Sequence, residues 1–157
     1  MPDWPFMNEP FTDHARRALA LASREARRRK YEHIGTDHIL LGLIREQSGI
    51  GPNILNQFDV DLHGALGQVD SLAKSGAEDV TSSNLSLTPR ANMAIERAIR
   101  EVRRKNHDHI GTEHLLLGLL CDSNNAVTAV LIGLGVSSES MLHSLMDVLG
   151  TESPTEA

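Results

Sequence analysis

The sequence predicts an all-α fold: two tandem four-helix repeats, about eight helices, forming one compact bundle with pseudo-twofold symmetry. Three observations predict it. The run His33-Ile34-Gly35-Thr36-Asp37-His38-Ile39-Leu40-Leu41-Gly42-Leu43-Ile44 returns 76 positions later as His109-Ile110-Gly111-Thr112-Glu113-His114-Leu115-Leu116-Leu117-Gly118-Leu119-Leu120, with nine of the twelve positions identical. The same offset, without insertion, pairs Thr12 with Thr88, Ala15 with Ala91, Ala22 with Ala98, Leu55 with Leu131 and Val60 with Val136. Residues 11–60 and 87–136 are therefore two copies of one unit that must fold alike. Third, apolar residues recur at helical spacing in both copies and no strand-like alternation stands out.

Each copy opens with an amphipathic helix. Ala15, Ala18, Leu19, Ala22 and Ala26 form a stripe in the first, and Ala91, Ala94, Ile95, Ala98, Ile99 and Val102 in the second. Alanine at these positions lets another helix approach closely. Thr12 and Thr88 stand where N-caps belong, and Pro89 fits the first helical position because its missing N–H has no partner to lose there. The repeated motif reads as a loop becoming a buried helix: Gly35 and Gly111 relax the backbone, Thr36 and Thr112 cap, and Asp37 and Glu113 fall in the first turn. Shorter helices are expected at about 51–58 and 126–134, then at about 61–75 and 137–149, with Gly49-Ile50-Gly51-Pro52 as a break. The expected layout is an N-terminal extension over 1–10, repeat one over 11–75, a polar linker over 76–86, repeat two over 87–150 and a disordered tail over 151–157.

At 157 residues the chain can bury roughly 68–70% of its unfolded surface and needs no covalent staple. Its single cysteine, Cys121, allows no internal disulfide and suits a reducing cytoplasm, the expected location. No apolar run approaches the ~20 residues of a membrane helix, and no basic-then-apolar leader is present, so no membrane partner is expected. Net charge is −6, yet residues 13–32 hold seven Arg or Lys against three acids and residues 89–108 six against three. Arg27-Arg28-Arg29-Lys30 and Arg103-Arg104-Lys105 read as solvated helix ends favoured by the dipole, with a docking patch for an acidic partner as the alternative. Aromatics make up only 3% of residues, which leaves no stacking platform for single-stranded nucleic acid; no nucleic-acid partner is expected.

Catalytic signatures are missing. The chain contains neither the G-x-x-x-x-G-K-[ST] run of a phosphate-binding loop nor a G-x-S-x-G elbow, and Cys121 is matched in copy one by Arg45. His33 and His38 are five apart, as are His109 and His114, whereas a metalloprotease pair stands at i and i+4 with a Glu between; a metal-dependent hydrolase on these four is the weaker reading, and no metal or cofactor is expected. A helix start offers N–H groups and a positive dipole end to an anion, and a first-turn carboxylate matches a guanidinium. A ligand carrying both phosphate and guanidinium would satisfy both, while the plain alternative is that these residues only stabilise the helix ends.

Phe11-Thr12-x-x-Ala15 with Ala18-Leu19, Leu87-Thr88-Pro89-Arg90-Ala91 and above all the two H-I-G-T-[DE]-H-[IL]-L-L-G-L runs resemble the Clp N-terminal domain, the double repeat at the front of Clp-type AAA+ unfoldases, and most of all its ClpC branch. The resemblance covers about residues 10–150. It implies a non-enzymatic eight-helix bundle that recruits protein substrates and adaptors to an AAA+ ring, either as part of that unfoldase or as a free-standing adaptor or decoy. It further implies phosphoarginine recognition at Thr36 and Asp37 in one site and Thr112 and Glu113 in the other. Copy one departs from the branch pattern, with Asp37 where glutamate is usual, so Glu113 marks the stronger expected site.

Overall fold

The computed structural model describes residue 6 and residues 8–73, 86–122 and 125–151. Copy one comprises α1 (Asp13–Arg28), α2 (Thr36–Glu46), α3 (Ile50–Gln57) and α4 (Leu62–Ala73); copy two comprises α5 (Pro89–Arg104), α6 (Thr112–Leu120), α7 (Ala126–Gly133) and α8 (Ser138–Thr151). The all-α expectation holds, with four helices per copy among the described residues, in the same order. Most of the expected linker and tail lie outside the described residues. Ser86 and Thr151, expected in them, belong instead to a short strand and to the end of α8.

The starts of α1 and α5 follow the sequence closely. Thr12 and Thr88 accept hydrogen bonds from the Ala15 and Ala91 amides, each at 3.1 Å, and Pro89 occupies the first turn of α5. Both helices end by turning through left-handed residues at matched positions, Lys30 (φ 63°) and Asn106 (φ 57°). Ala18 and Ala22 of α1, and Ala94 and Ala98 of α5, are buried against α2 and α6. Glycine completes each crossing. A β-carbon on Gly42 would land on the Ala18 carbonyl oxygen, and one on Gly118 on that of Ala94.

We expect Gly118→Ala to lower stability by about 1–3 kcal/mol, the usual cost of overpacking, even though alanine is the better helix former by about 1 kcal/mol. A urea midpoint that does not fall would show that α5 and α6 can separate freely.

The two copies interlock. His33–Ile34 (β1) and Ser86–Leu87 (β2) pair in parallel, with Ile34 opposite Leu87, and the Thr88 amide donates to the Ile34 carbonyl at 3.0 Å. Phe11 bridges Ile110 in the same sense, the Thr12 amide donating to the Ile110 carbonyl and the Ile110 amide to the Pro10 carbonyl, each at 2.9 Å. Phe11 and Leu87 are equivalent under the 76-residue offset, as are Ile34 and Ile110. The segment that opens each copy therefore clamps the motif loop of the other. Strands of two residues are too short to show alternation in a sequence, which is why none was expected. Helix packing repeats the exchange, with α3 against α6 and α7 against α2. The core is continuous across both copies and includes Ile34, Leu40, Leu41, Ile110, Leu116 and Val130.

Candidate functional site at the paired helix starts

The motif places the same constellation at the start of α2 and of α6, with one correction to the sequence reading. Gly35 and Gly111, in extended backbone, are the N-caps; Thr36 and Thr112 are the first helical residues and do not cap. The capping side chain is the histidine at the third helical position. The Gly35 amide donates to His38 Nδ1 at 2.9 Å, and the Gly111 amide to His114 Nδ1 at 2.9 Å. An S/T-x-x-E search misses this arrangement because imidazole takes the acceptor role that glutamate usually fills. The carboxylate folds back over the cap: a β-carbon on Gly35 would lie 2.7 Å from Asp37 Oδ1, and one on Gly111 2.5 Å from Glu113 Oε1, so a larger cap residue would push the carboxylate aside.

Both histidines are buried, His38 at 1% and His114 at 3% exposure. A backbone N–H can only donate, so each Nδ1 is unprotonated and each ring is the neutral Nε2–H tautomer. Burial pushes both pKa values down; His114 falls to about 4, burial being the main cause. Behind His38 stands the Tyr31 ring, edge-on with centroids 4.7 Å apart. Behind His114 stands His107, its Nδ1 3.0 Å from His114 Nε2. Tyr31 and His107 are equivalent positions.

Asp37 and Glu113 occupy the second helical position with side chains 19% and 14% exposed, so their carboxylates reach the surface beside the helix start. Asp37 Oδ1 accepts from the His38 amide at 3.0 Å. The threonines lie deeper. Thr36 is 4% and Thr112 1% exposed, and the Thr112 hydroxyl accepts from the Gly51 amide at 2.9 Å, tying the start of α3 to that of α6. What each start presents outward is a carboxylate and first-turn backbone N–H groups, not a threonine hydroxyl.

The histidines of the weaker hydrolase reading do not converge. His33 and His109 are exposed, with His33 Nδ1 3.0 Å from Ser86 Oγ, whereas His38 and His114 face inward. Among the described residues no three His, Cys, Asp or Glu side chains gather as metal ligands would.

Two buried carboxylates escaped the sequence reading. Glu25, 1% exposed, receives Arg45 at 2.9 Å and Arg28 at 3.4 Å; Arg29 also reaches it and pairs with Asp70. Its equivalent, Glu101, takes Arg104 at 2.8 Å and Lys105 at 3.7 Å. Glu46, its side chain fully buried, accepts from Arg17 at 3.0 Å and from the Ser48 and Gly49 amides, with His14 Nδ1 at 2.6 Å. Burial opposes the Glu46 charge, but the hydrogen bonds from His14, Gly49 and Ser48 outweigh it and hold its pKa below the ordinary value. The basic helix ends are thus largely drawn into ion pairs with the protein itself. The offset of 76 carried the signal, since Glu25 recurs as Glu101 and Glu46 as Asp122, which pairs with Arg90 at 2.7 Å.

Known proteins share this architecture. The N-terminal domain of the caseinolytic protease associated chaperone ClpD from Arabidopsis thaliana superimposes with a TM-score of 0.78 at 22% identity, covering 96% of this chain and 99% of that one. The Hsp104 N-terminal domain from Candida albicans gives 0.77 at 17% identity over 92% of this chain and 95% of that one. In sequence, the chain is 39% identical over 141 residues to the negative regulator of genetic competence ClpC/MecB of Bacillus subtilis strain 168. That match covers 90% of this chain but 17% of the relative's length. Residues 10–150 match the family described as the Clp repeat (R) N-terminal domain, and the chain belongs to that family.

Proposed function

We propose that this chain is a non-catalytic binding module that recruits protein substrates or adaptors to a Clp AAA+ unfoldase, and that each motif start reads phosphoarginine on them. Family membership supports the recruiting role. The phosphoarginine reading is carried by one observation: in both copies a surface-reaching carboxylate lies folded over the N-terminus of a helix. The carboxylate takes the guanidinium as a planar fork, and the first-turn N–H groups with the positive dipole end take the phosphate. Because the threonine hydroxyls are buried, Thr36 and Thr112 act through their backbone amides. Glu113 carries the glutamate usual in the ClpC-like pattern, one methylene longer than Asp37, and is the stronger of the two.

Calorimetry with free phosphoarginine tests this. Glu113→Ala removes a charge-assisted hydrogen bond, an interaction of about 1.5–3 kcal/mol, so the tighter site weakens by roughly 10- to 100-fold. Asp37→Ala affects the weaker site. Equal heats from wild type and Glu113→Ala would sink the assignment.

A further inference from the structure

The two helix starts are alike in their caps and differ in what stands behind the capping histidine. In copy two, three hydrogen-bonding groups form a line: the Gly111 amide, the His114 ring and the His107 ring, at 2.9 and 3.0 Å. Every bond in that line has a forced direction. Gly111 N–H donates to His114 Nδ1, so the His114 proton sits on Nε2; that proton points at His107 Nδ1, which must be bare; the His107 proton is then on Nε2, a buried atom with no hydrogen-bond partner among the described residues. A proton added to His107 Nδ1 would face the His114 Nε2–H. With both rings held in place, the clash is removed if His114 moves its proton from Nε2 to Nδ1, and that Nδ1–H then opposes the Gly111 N–H that Nδ1 had accepted.

We infer that His107 and His114 form a proton-operated latch on the start of α6: a proton taken up at His107 switches the His114 tautomer and uncaps Gly111. The switch alters where His114 carries its proton without charging His114, whose burial resists a second proton. The groups facing the pair are Glu101 from α5, Lys105 at the C-cap of α5, and Glu113 from α6, whose Oε2 lies 3.9 Å from His114 Nδ1.

Copy one cannot do this. Its backing ring is Tyr31, which burial and the Asp37 charge push above the ordinary tyrosine pKa, so it exchanges no proton in the range where imidazoles titrate. His38 Nε2 has no hydrogen-bonding partner there among the described residues. If Glu113 binds the ligand proposed above, the latch makes that site acid-sensitive while the Asp37 site stays indifferent; this corollary rests on that reading, whereas the latch itself does not.

The test needs no ligand. Amide and imidazole nitrogen NMR would follow wild type, His107→Tyr and Tyr31→His from pH 8 to 5. In wild type the Gly111 amide should shift in step with a change of His114 from the Nε2–H to the Nδ1–H form, and the Gly35 amide should stay still. His107→Tyr, which installs the ring that copy one already holds, should abolish the Gly111 shift; Tyr31→His should confer one on Gly35. Gly111 and Gly35 moving together in wild type, or a Gly111 shift that survives in His107→Tyr, would overturn the latch. If either variant fails to fold, the wild-type tautomer at pH 8 still decides: finding His114 as Nδ1–H there refutes it. Phosphoarginine titrations at both pH values separate the corollary, since a working latch with pH-independent affinity removes the Glu113 site assignment alone.

Discussion

Made as separate polypeptides, residues 1–75 and 86–157 will each fail to unfold cooperatively, and mixing them will restore a cooperative transition. The expectation follows from where each copy's backbone partners lie. The Ile110 carbonyl and amide bond the Thr12–Pro10 segment, and the Ile34 carbonyl bonds Thr88. Removing copy one strands those groups on copy two and uncovers Ile110, 1% exposed in the whole chain, together with the α6 surface that α3 covers. A backbone hydrogen bond exchanged for water costs about 0.5–1.5 kcal/mol, and a fully exposed Leu or Ile side chain about 1.5–3 kcal/mol. A few such losses equal the whole stability of a typical domain, about 5–15 kcal/mol. Thermal melts of the halves read by circular dichroism check it; a sigmoidal melt from either half alone would show that the clamp is dispensable.

Acid will destabilise the protein in two stages. His114 has a folded pKa of about 4 against an ordinary 6.5, so between those values the unfolded chain binds a proton that the folded chain refuses. Stability from this group is complete above pH 6.5 and drains as pH falls toward 4, about 3 kcal/mol in all. His38 is lowered for the same reason, burial, and adds loss in the same direction. Glu46 enters later: its lowered pKa gives stability that is present above the ordinary carboxylate value and lost as pH falls beneath it. Urea midpoints at pH 7.5, 5.5 and 4.5 should fall steadily, and His114→Gln, which cannot take up the proton, should flatten the first stage. A variant with the wild-type slope would show that the histidine cap does not carry the acid response.

Much of the fold was legible because duplication turns one sequence into two readings of the same unit. The Thr12 and Thr88 caps, the Pro89 position, the alanine stripes and the approximate helix ranges all rest on local signals within a few residues, and all appear in the structure. What escaped was set by distant residues. Thr36 looked like a cap because threonine caps elsewhere in this chain; Gly35 at the N-cap has no side chain to bond the first turn, and His38 at the third helical position reaches back to the Gly35 amide instead. The exchange of Phe11 and Leu87 between copies, the Gly51 amide on Thr112 and Arg45 on Glu25 join positions 20 to 99 residues apart, and no periodicity encodes such pairings. Asp37 and Glu113 were found by position in the motif, but their reach over a glycine required coordinates.

The exchange of clamps has the form of a self-complementary dimer interface: Phe11 meets Ile110 as Leu87 meets Ile34, each patch serving as its own partner. This body is in effect a symmetric dimer whose protomers share one chain. In a true homodimer every substitution strikes both sites at once, and an asymmetric pair cannot be encoded. Covalent joining lifts that restriction while leaving the interface to hold both halves in one shape. Asp37 opposite Glu113, Tyr31 opposite His107 and Arg45 opposite Cys121 record its use, with the backbone preserved and the two helix starts free to specialise.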